Sequence, residues 1–475
     1  MQRYKQFITP DATGHLICNL IETRDFTHRF TPQRRVLASR QKMILQRVAV
    51  VGAGAAGLCA ARHILSRLDR FAPPVLFELG GKVGGTWCYD ERVGTDGAGR
   101  PIHSSMYRDL RTNLPKEVMM FPDFPFDPQL DSFLPHQEVQ RYLERYCQSH
   151  HIGPHIRFNT MVEKVRPVVT ATERSKEEDR TLWEVTSSDA SGCCKTEAFD
   201  SIFVCSGHYS DPHIPDIPGI ERFKGTVLHS HSYKFAEPFA GQSVVVLGAK
   251  ASGLDISIEL AGVGAQVTLS HGQPPLTCPL PAGVQQSCPV VAVEEDGRLL
   301  FQDGSVSGAD ILMFCTGYNF RFPYLDGPQL GLRIEDHLLS PLYRFMMPPA
   351  FPSLFFIGMC KLICPFPNFH CQVQFALAVL EGVVSLPPRA VREDEAWLAL
   401  REKAEQGVQR RHLLVLQNEQ WDYCQSLARA AGFTPLPPAV RGLYEEVWRQ
   451  RRFNSVDYRG RNYKLIGEDR WEQIN

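Results

Sequence analysis

Two glycine-rich hexapeptides, Gly52-Ala53-Gly54-Ala55-Ala56-Gly57 and Gly248-Ala249-Lys250-Ala251-Ser252-Gly253, each follow a short β-branched run and open an alanine-rich stretch of helical character. In this arrangement the first glycine makes a tight turn and the second lets the backbone approach a pyrophosphate. The third packs helix against strand, with the anion over the helix N-terminus. Two such fingerprints in one chain predict two dinucleotide sites. A chain that holds two dinucleotides can pass a hydride from one to the other, so the leading expectation is a flavoprotein reduced by a nicotinamide.

The elements that must position these turns are legible around the first of them. Val48 to Val51 reads as a buried strand, Ala55 to Leu65 as a helix, and Val75 to Phe77 as the next strand. That strand ends in Glu78, about 20 residues beyond Gly57, which suits a carboxylate accepting from a ribose hydroxyl. The competing reading is a tight turn without a ligand. The second unit runs from strand Ser243 to Leu247 through a helix from Ser252 to about Leu260 to strand Gln266 to Ser270. It departs from the pattern at Lys250, which stands where the second glycine belongs; its ammonium either points outward or pairs with phosphates. No acid ends the following strand, where Ser270 and His271 stand instead, and this favours NADPH over NADH. The competing reading here is a degenerate domain that no longer binds a nucleotide.

At 475 residues, 43% hydrophobic and 22% charged, the chain suits two or three domains with substantial cores. A net charge of −1 gives no electrostatic reason to expect nucleic acid. The fourteen cysteines include no CxxC pair and read as buried apolar thiols in a reducing, cytoplasmic compartment; no metal site is expected. No segment reads as membrane-spanning, since even Leu354 to Ile363 is broken by Lys361 and followed by Pro365 and Pro367. Residues 1–43 carry several arginines and no apolar signal core, and read as a poorly ordered extension before a second potential start at Met43. Glu173 to Arg180 reads as a solvated hairpin loop. The tail after Pro388 reads as charged helices anchored by Trp421, Trp448 and Trp471.

A family resemblance becomes specific at Phe223-Lys224-Gly225-Thr226-Val227-Leu228-His229-Ser230-His231-Ser232-Tyr233, which is similar to the FxGxxxHxxxY signature of the flavin-containing monooxygenases. Gly84-Gly85-Thr86-Trp87 resembles that family's GGTW segment, Thr112-Asn113-Leu114-Pro115-Lys116 its TNxPK loop, and Phe314-Cys315-Thr316-Gly317-Tyr318 its FATGY-type linker. The branch resembled is that of glucosinolate-type S-oxygenases and pyrrolizidine alkaloid N-oxygenases.

The resemblance implies an NADPH monooxygenase of the N,N-dimethylaniline type. In such enzymes reduced FAD and O₂ form a C4a-hydroperoxide that oxygenates a small thioether, thiol or amine in a dry pocket. It implies FAD contacts at Gly52, Gly54, Ala55, Ala56, Gly57, Glu78, Gly85, Thr86, Trp87, Asn113 and Gln372, and NADPH contacts at Gly248, Lys250, Ser252, Gly253, Ser270 and His271. Asn113 is the expected catalytic residue, an amide beside the reacting flavin. Pro367 to Phe375 is expected to lead into an apolar helix with Gln372 in its first turn, its N-terminus facing the flavin. His229 and Tyr233 are expected to brace the linker, and Gly207 to permit a sharp exit from the strand ending at Val204.

The fold expected is α/β, with two doubly wound dinucleotide-binding domains. An NADPH domain at 212–320 is inserted in a discontinuous FAD domain at 44–211 and 321–475. A homodimer is left open. A Baeyer-Villiger oxygenase is disfavoured because Tyr233 stands where that group has Trp, and a disulfide reductase because no CxxC lies near either unit. The reading from another class is a non-enzymatic flavoprotein, or an uncoupled NADPH oxidase making H₂O₂, owing to Lys250.

Overall fold

The computed structural model describes residues 45–97, 99–168 and 181–474. The expectations for residues 1–43 and for Glu173 to Arg180 lie outside them. The first unit begins with Val48–Val51 (β1), whose four apolar residues are all buried. A strand buried on both faces needs apolar side chains at every position, and in a parallel sheet it is flanked by helices. Ala55–Leu65 (α1) follows, then Val75–Phe77 (β2), His136–Ser149 (α2), Ile156–Arg157 (β3) and Ser201–Val204 (β4). The observed limits of β1, α1 and β2 match the expected ones.

The second unit comprises Thr226–His229 (β5), Ser243–Leu247 (β6), Ala251–Gly262 (α3), Gln266–Ser270 (β7), Val284–Ser287 (β8) and Ile311–Phe314 (β9). The chain then returns with Leu354–Phe356 (β10) and Pro365–Leu380 (α4). The first sheet has the order β10-β4-β1-β2-β3 and the second β8-β7-β6-β9-β5, and every pair in both is parallel. The second sheet is therefore an insertion between β4 and β10 of the first. The two crossings run side by side, since Asp211–Pro212 pairs antiparallel with Tyr318–Asn319.

Apolar clusters cover both faces of each sheet. Leu58, Ile64, Tyr142 and Phe375 from α1, α2 and α4 pack on one face of the first sheet, and Trp183, Phe199 and Phe356 lie on the other. Ile256 and Leu260 of α3 pack with Val244 and Val246 on one face of the second sheet, while Val245, Leu299 and Phe301 fill the other. No helix among the described residues is long and apolar enough to cross a membrane.

The tail departs from the expectation at its end. Helices Arg389–Glu405, Glu419–Ala431 and Pro438–Phe453 are followed by an antiparallel hairpin, Asn462–Ile466 with Arg470–Ile474. Alternating Tyr463 and Leu465 drive it, because Tyr463 is buried against Ser132 and Leu465 pairs with Trp471. The thirteen cysteines among the described residues are free thiols, mostly buried.

Candidate functional site

The two glycine turns are built alike. Gly52 has φ +104 and Gly248 φ +106, in the left-handed region that favours glycine. A Cβ on Gly52 would stand 2.6 Å from the Cys205 carbonyl oxygen, and one on Gly248 2.7 Å from that of Cys315. At the third position a Cβ on Gly57 would meet Gly52 O at 1.9 Å and one on Gly253 would meet Gly248 O at 1.7 Å. Each turn thus wraps its helix start tightly around the strand end. The first-turn N–H groups of α1 and α3 have no intrahelical partner, which is what an anion requires.

The sequence assigns no role to the carbonyls of Cys205 and Cys315, although a signal is present. Both β4 and β9 run into Cys-Ser/Thr-Gly, as Cys205-Ser206-Gly207 and Cys315-Thr316-Gly317, with Gly207 at φ +73 and Gly317 at φ +88. The exit expected at Gly207 therefore uses a left-handed glycine, and its counterpart in the second unit does too.

The middle position explains Lys250. Gly54 has φ −75 and ψ −173, and Lys250 has φ −79 and ψ −164, extended backbone that any residue adopts. A Cβ on Gly54 would lie 3.4 Å from Gly85 Cα, so the GGTW segment passes directly over the first turn. Lys250 is exposed. Although the residue as a whole is exposed, the surrounding protein partly desolvates its ammonium, which this and Arg411 push down, while Lys361 is lowered to about 8 by burial and by Lys250. His412 is depressed to about 4 by burial and then by Lys250, Arg411 and Lys361. Arg411 and Lys361, distant in sequence, thus come near enough to Lys250 to oppose its charge. We expect Lys250→Gly to shift the KM for NADPH by no more than about tenfold, roughly 1.4 kcal/mol. A gain in affinity of a hundredfold would mark the lysine as an obstruction.

Glu78 stands at the end of β2. Its Oε2 accepts from the Ala53 N–H at 2.7 Å and its Oε1 from the Gly80 N–H at 2.7 Å, so the carboxylate also ties down the glycine turn. Burial raises its pKa, and these two N–H donors oppose the rise. Each carboxylate oxygen retains capacity for a further donor.

At the end of β7 the expectation needs correction. Ser270 is 2% exposed, donates to the Cys288 carbonyl at 2.9 Å and accepts from the Val290 N–H at 3.1 Å. Its hydroxyl locks β7 to the following segment. His271 is half-buried and bonds Gln286 at 3.1 Å.

Gln372 is likewise not in a helix first turn. The helix starts at Pro365, so Gln372 lies two turns inside it, fully buried, accepting from the Gly358 N–H and donating to the Tyr423 hydroxyl. Its amide holds α4 to the strand-exit backbone and to helix Glu419–Ala431. The apolar periodicity of the segment was readable, but the proline at N1 rather than the one at Pro367 marks the true start.

Gly84 (φ +127) and Gly85 (φ +57) bring the chain over the first turn, and Gly85 to Trp87 forms a 3₁₀ turn. Thr86 Oγ1 lies 3.1 Å from Ser105 Oγ, and the half-buried Trp87 meets Phe366 edge to face at 6.4 Å. Asn113 is half-buried between two buried neighbours. Thr112 exchanges hydrogen bonds with the Leu134 backbone, and the Lys116 ammonium binds Glu117 at 2.7 Å and the Leu130 carbonyl at 2.6 Å. The loop is clamped at both ends.

His229 Nδ1 accepts from the His231 N–H at 3.0 Å, which leaves Nε2 protonated and donating to the Gly317 carbonyl at 3.0 Å. The histidine thus braces the linker, as expected. Tyr233 is buried and donates to Glu259 at 2.7 Å. Burial depresses His229 to about 4 from 6.5, and His370 to about 4. Both rings are neutral in the fold, whereas the unfolded chain takes up protons first as pH falls. Stability should therefore be intact above about pH 6.5 and fall steadily towards pH 4. Thermal melts recorded down this range check it; a flat melting temperature would mean that the rings charge without leaving the fold.

Among the described residues one grouping has metal-ligand types, His63, Asp123 and His370, whose ligand atoms lie within 4.8 Å of one another. Arg62 donates to His63 at 3.1 Å and pairs with Asp123 at 2.6 Å. A fixed guanidinium already supplies the cation there.

The fold and both turns define a two-nucleotide α/β oxidoreductase. A model of the family described as flavin-binding monooxygenase-like matches residues 45–275 and 280–472, and the chain belongs to that family. It is therefore an FAD-dependent monooxygenase, with FAD and NADPH as cofactors and O₂ and a small molecule as reactants. It is similar to the flavin-containing monooxygenase FMO GS-OX5 of Arabidopsis thaliana, 35% identical over 90% of this chain and 91% of the relative. Among solved structures, S-allyl-L-cysteine S-oxygenase from Allium sativum matches with TM-score 0.78 and 32% identity, covering 88% of this chain and 95% of the other. Tmm from Pelagibacter sp. strain HTCC7211 matches with TM-score 0.75 and 28% identity, covering 89% and 94%.

Proposed function

We propose that this protein uses NADPH and O₂ to oxygenate a soft nucleophilic atom of a small molecule, with thioether sulfur ahead of tertiary amine nitrogen. The observation that carries it is the pair of near-identical glycine turns, one at each sheet, combined with similarity along nearly the whole length of an S-oxygenase. In this reading 44–211 and 321–475 form the FAD domain and 212–320 the NADPH domain.

The tight turn of Gly52, Gly54 and Gly57, packed closely on the Cys205 carbonyl and with Gly85 above it, presents the free N–H groups of the α1 start to the FAD pyrophosphate. Glu78 has lone pairs left for a ribose, and Gly85, Thr86 and Trp87 cover the turn. Gly248, Ser252 and Gly253 hold the NADPH pyrophosphate, and Lys250 adds charge to it. Selection of the 2′-phosphate comes from His271 and the surrounding cations, since Ser270 turns inward. Bound flavin supplies the electrons that activate O₂. The protein's own work is to hold Asn113 where its amide can donate to developing negative charge, and to keep water out.

Lys250 favours a second reading, a flavoprotein that consumes NADPH wastefully or not at all. NADPH titration into the purified yellow protein, with and without methimazole or trimethylamine, separates the two. The monooxygenase should consume NADPH in step with S-oxide or N-oxide formation, and NADPH should reduce the flavin faster than NADH. Peroxide as the sole product, or no reduction, would reject the first reading.

A further inference from the structure

We propose that Arg459 and Asp255 form a positioning pair that clasps the Asn113 loop to the helix opening at the second glycine turn. This rests on the reading above that places Asn113 at the chemistry.

The loop lies where the chain passes from one core to the other. Tyr107 and Leu110 pack with Val244, Ile256 and Leu260 in the core of the second sheet, whereas Leu114 and Val118 pack with Leu58 and Tyr142 in that of the first. Any relative motion of the two sheets must therefore pull on residues 110–114.

Arg459 arrives from the tail to close this gap. Its Nε donates to the Thr112 carbonyl at 3.1 Å, and its Nη1 meets Asp255 Oδ1 at 2.6 Å. The other oxygen of Asp255 accepts from the Tyr107 hydroxyl, so the circuit returns to the segment it started from. Asp255 stands on α3 just beyond Gly253, and both side chains of the pair are largely shielded, at 18% and 15% exposure. One turn further along α3, Glu259 holds the hydroxyl of Tyr233, whose ring packs on Tyr107 at 5.5 Å. The helix that begins at the second glycine turn is thereby tied to the Thr112 carbonyl through Arg459 and to the Tyr107 hydroxyl directly, with Tyr233 packed behind.

Burying an ion pair is a poor way to gain stability, because desolvation offsets most of the attraction. What it supplies here is register. A planar guanidinium presents two N–H edges at a fixed angle, one to a carbonyl and one to a carboxylate. A lysine ammonium keeps the charge but cannot span both.

The test uses the full-length flavoprotein with Arg459→Lys, and Asp255→Asn as a second variant should the first fold poorly. Without nucleotide added, amide exchange in peptides covering 105–116 and 251–262 should quicken roughly tenfold, while the antiparallel sheet at 161–168 and 182–188 stays as in wild type. Flavin content should be unchanged. With NADPH and methimazole, the ratio of oxygenated product to NADPH consumed should fall by about half or more, the excess appearing as H₂O₂. Exchange identical to wild type overturns the clasp. Exchange raised throughout the molecule with coupling intact also overturns it, since that is the mark of a purely stabilising pair. If the wild type itself makes no oxygenated product, the oxygenase reading falls and the exchange measurement alone decides the clasp.

Discussion

Gly54→Leu should fold and purify colourless. The extended backbone at this position accepts any side chain, so the effect must come from the space above it. That space is taken by Gly85, whose Cα would lie 3.4 Å from a Cβ at residue 54 and whose own Cβ would meet Gly54 Cα at 3.0 Å. A single methyl makes ordinary contact there, and Gly54→Ala should stay yellow. Leucine must push the Gly84-Gly85 backbone away and fill the place of the pyrophosphate. Flavin occupancy should drop by more than about tenfold, a cost above roughly 1.4 kcal/mol. The absorbance ratio of flavin to protein measures it, with a thermal melt as the control for folding. A leucine variant that purifies fully loaded would show that the anion does not sit over this turn.

Asn113→Leu should disconnect NADPH consumption from product. Leucine keeps the branching of asparagine at Cγ, and the flanking clamps at Thr112 and Lys116 involve other atoms, so the loop should hold its course. Only the amide's donors and acceptor are lost. A hydrogen bond to a charged group contributes about 1.5–3 kcal/mol, so the fraction of NADPH ending as S-oxide or N-oxide should fall by about tenfold or more. Flavin reduction, which does not need that donor, should proceed at its usual rate. Stopped-flow reduction measured beside peroxide and product yields distinguishes the cases. Wild-type coupling in this variant would remove Asn113 from the mechanism and leave the exclusion of water as the protein's contribution.

How much of the site was legible depended on how local its determinants are. The strand, turn and helix around Gly52 to Gly57 could be read to the residue because the constraints fall within one short segment. The positive φ of the first glycine is a property of the turn itself, and the 1.9 Å conflict at the third arises from Gly52 in the same hexapeptide. The same held at Gly248 to Gly253, and it made Lys250 look like a defect. The missing fact was that the middle position is extended in both turns, so that a side chain there carries no backbone strain. At the first turn the second backbone that lies over Gly54 is that of Gly85, which lies outside the hexapeptide.

Ser270 and Gln372 were misplaced for a related reason. Their types suit a ligand site, and their positions at a strand end and near a helix start are where ligands bind. Which way each side chain turns was decided by partners remote in sequence: the backbone at 288–290 for the serine, and Gly358 with Tyr423 for the glutamine. Polar groups buried by such packing must be satisfied internally, and once satisfied they are lost to a ligand.

By itself, then, the order of residues determined two tight glycine turns and the strands and helices that carry them. Backbone stereochemistry and hydrophobic periodicity act over a handful of neighbours, and so these features are written locally. Only the tertiary structure decided that the Cys205 and Cys315 carbonyls lie under the two turns, and that Lys361 and Arg411 come near Lys250. It alone brought Arg459 across to join Thr112 to Asp255, because contacts between residues hundreds of positions apart exist only once both sheets have closed their cores.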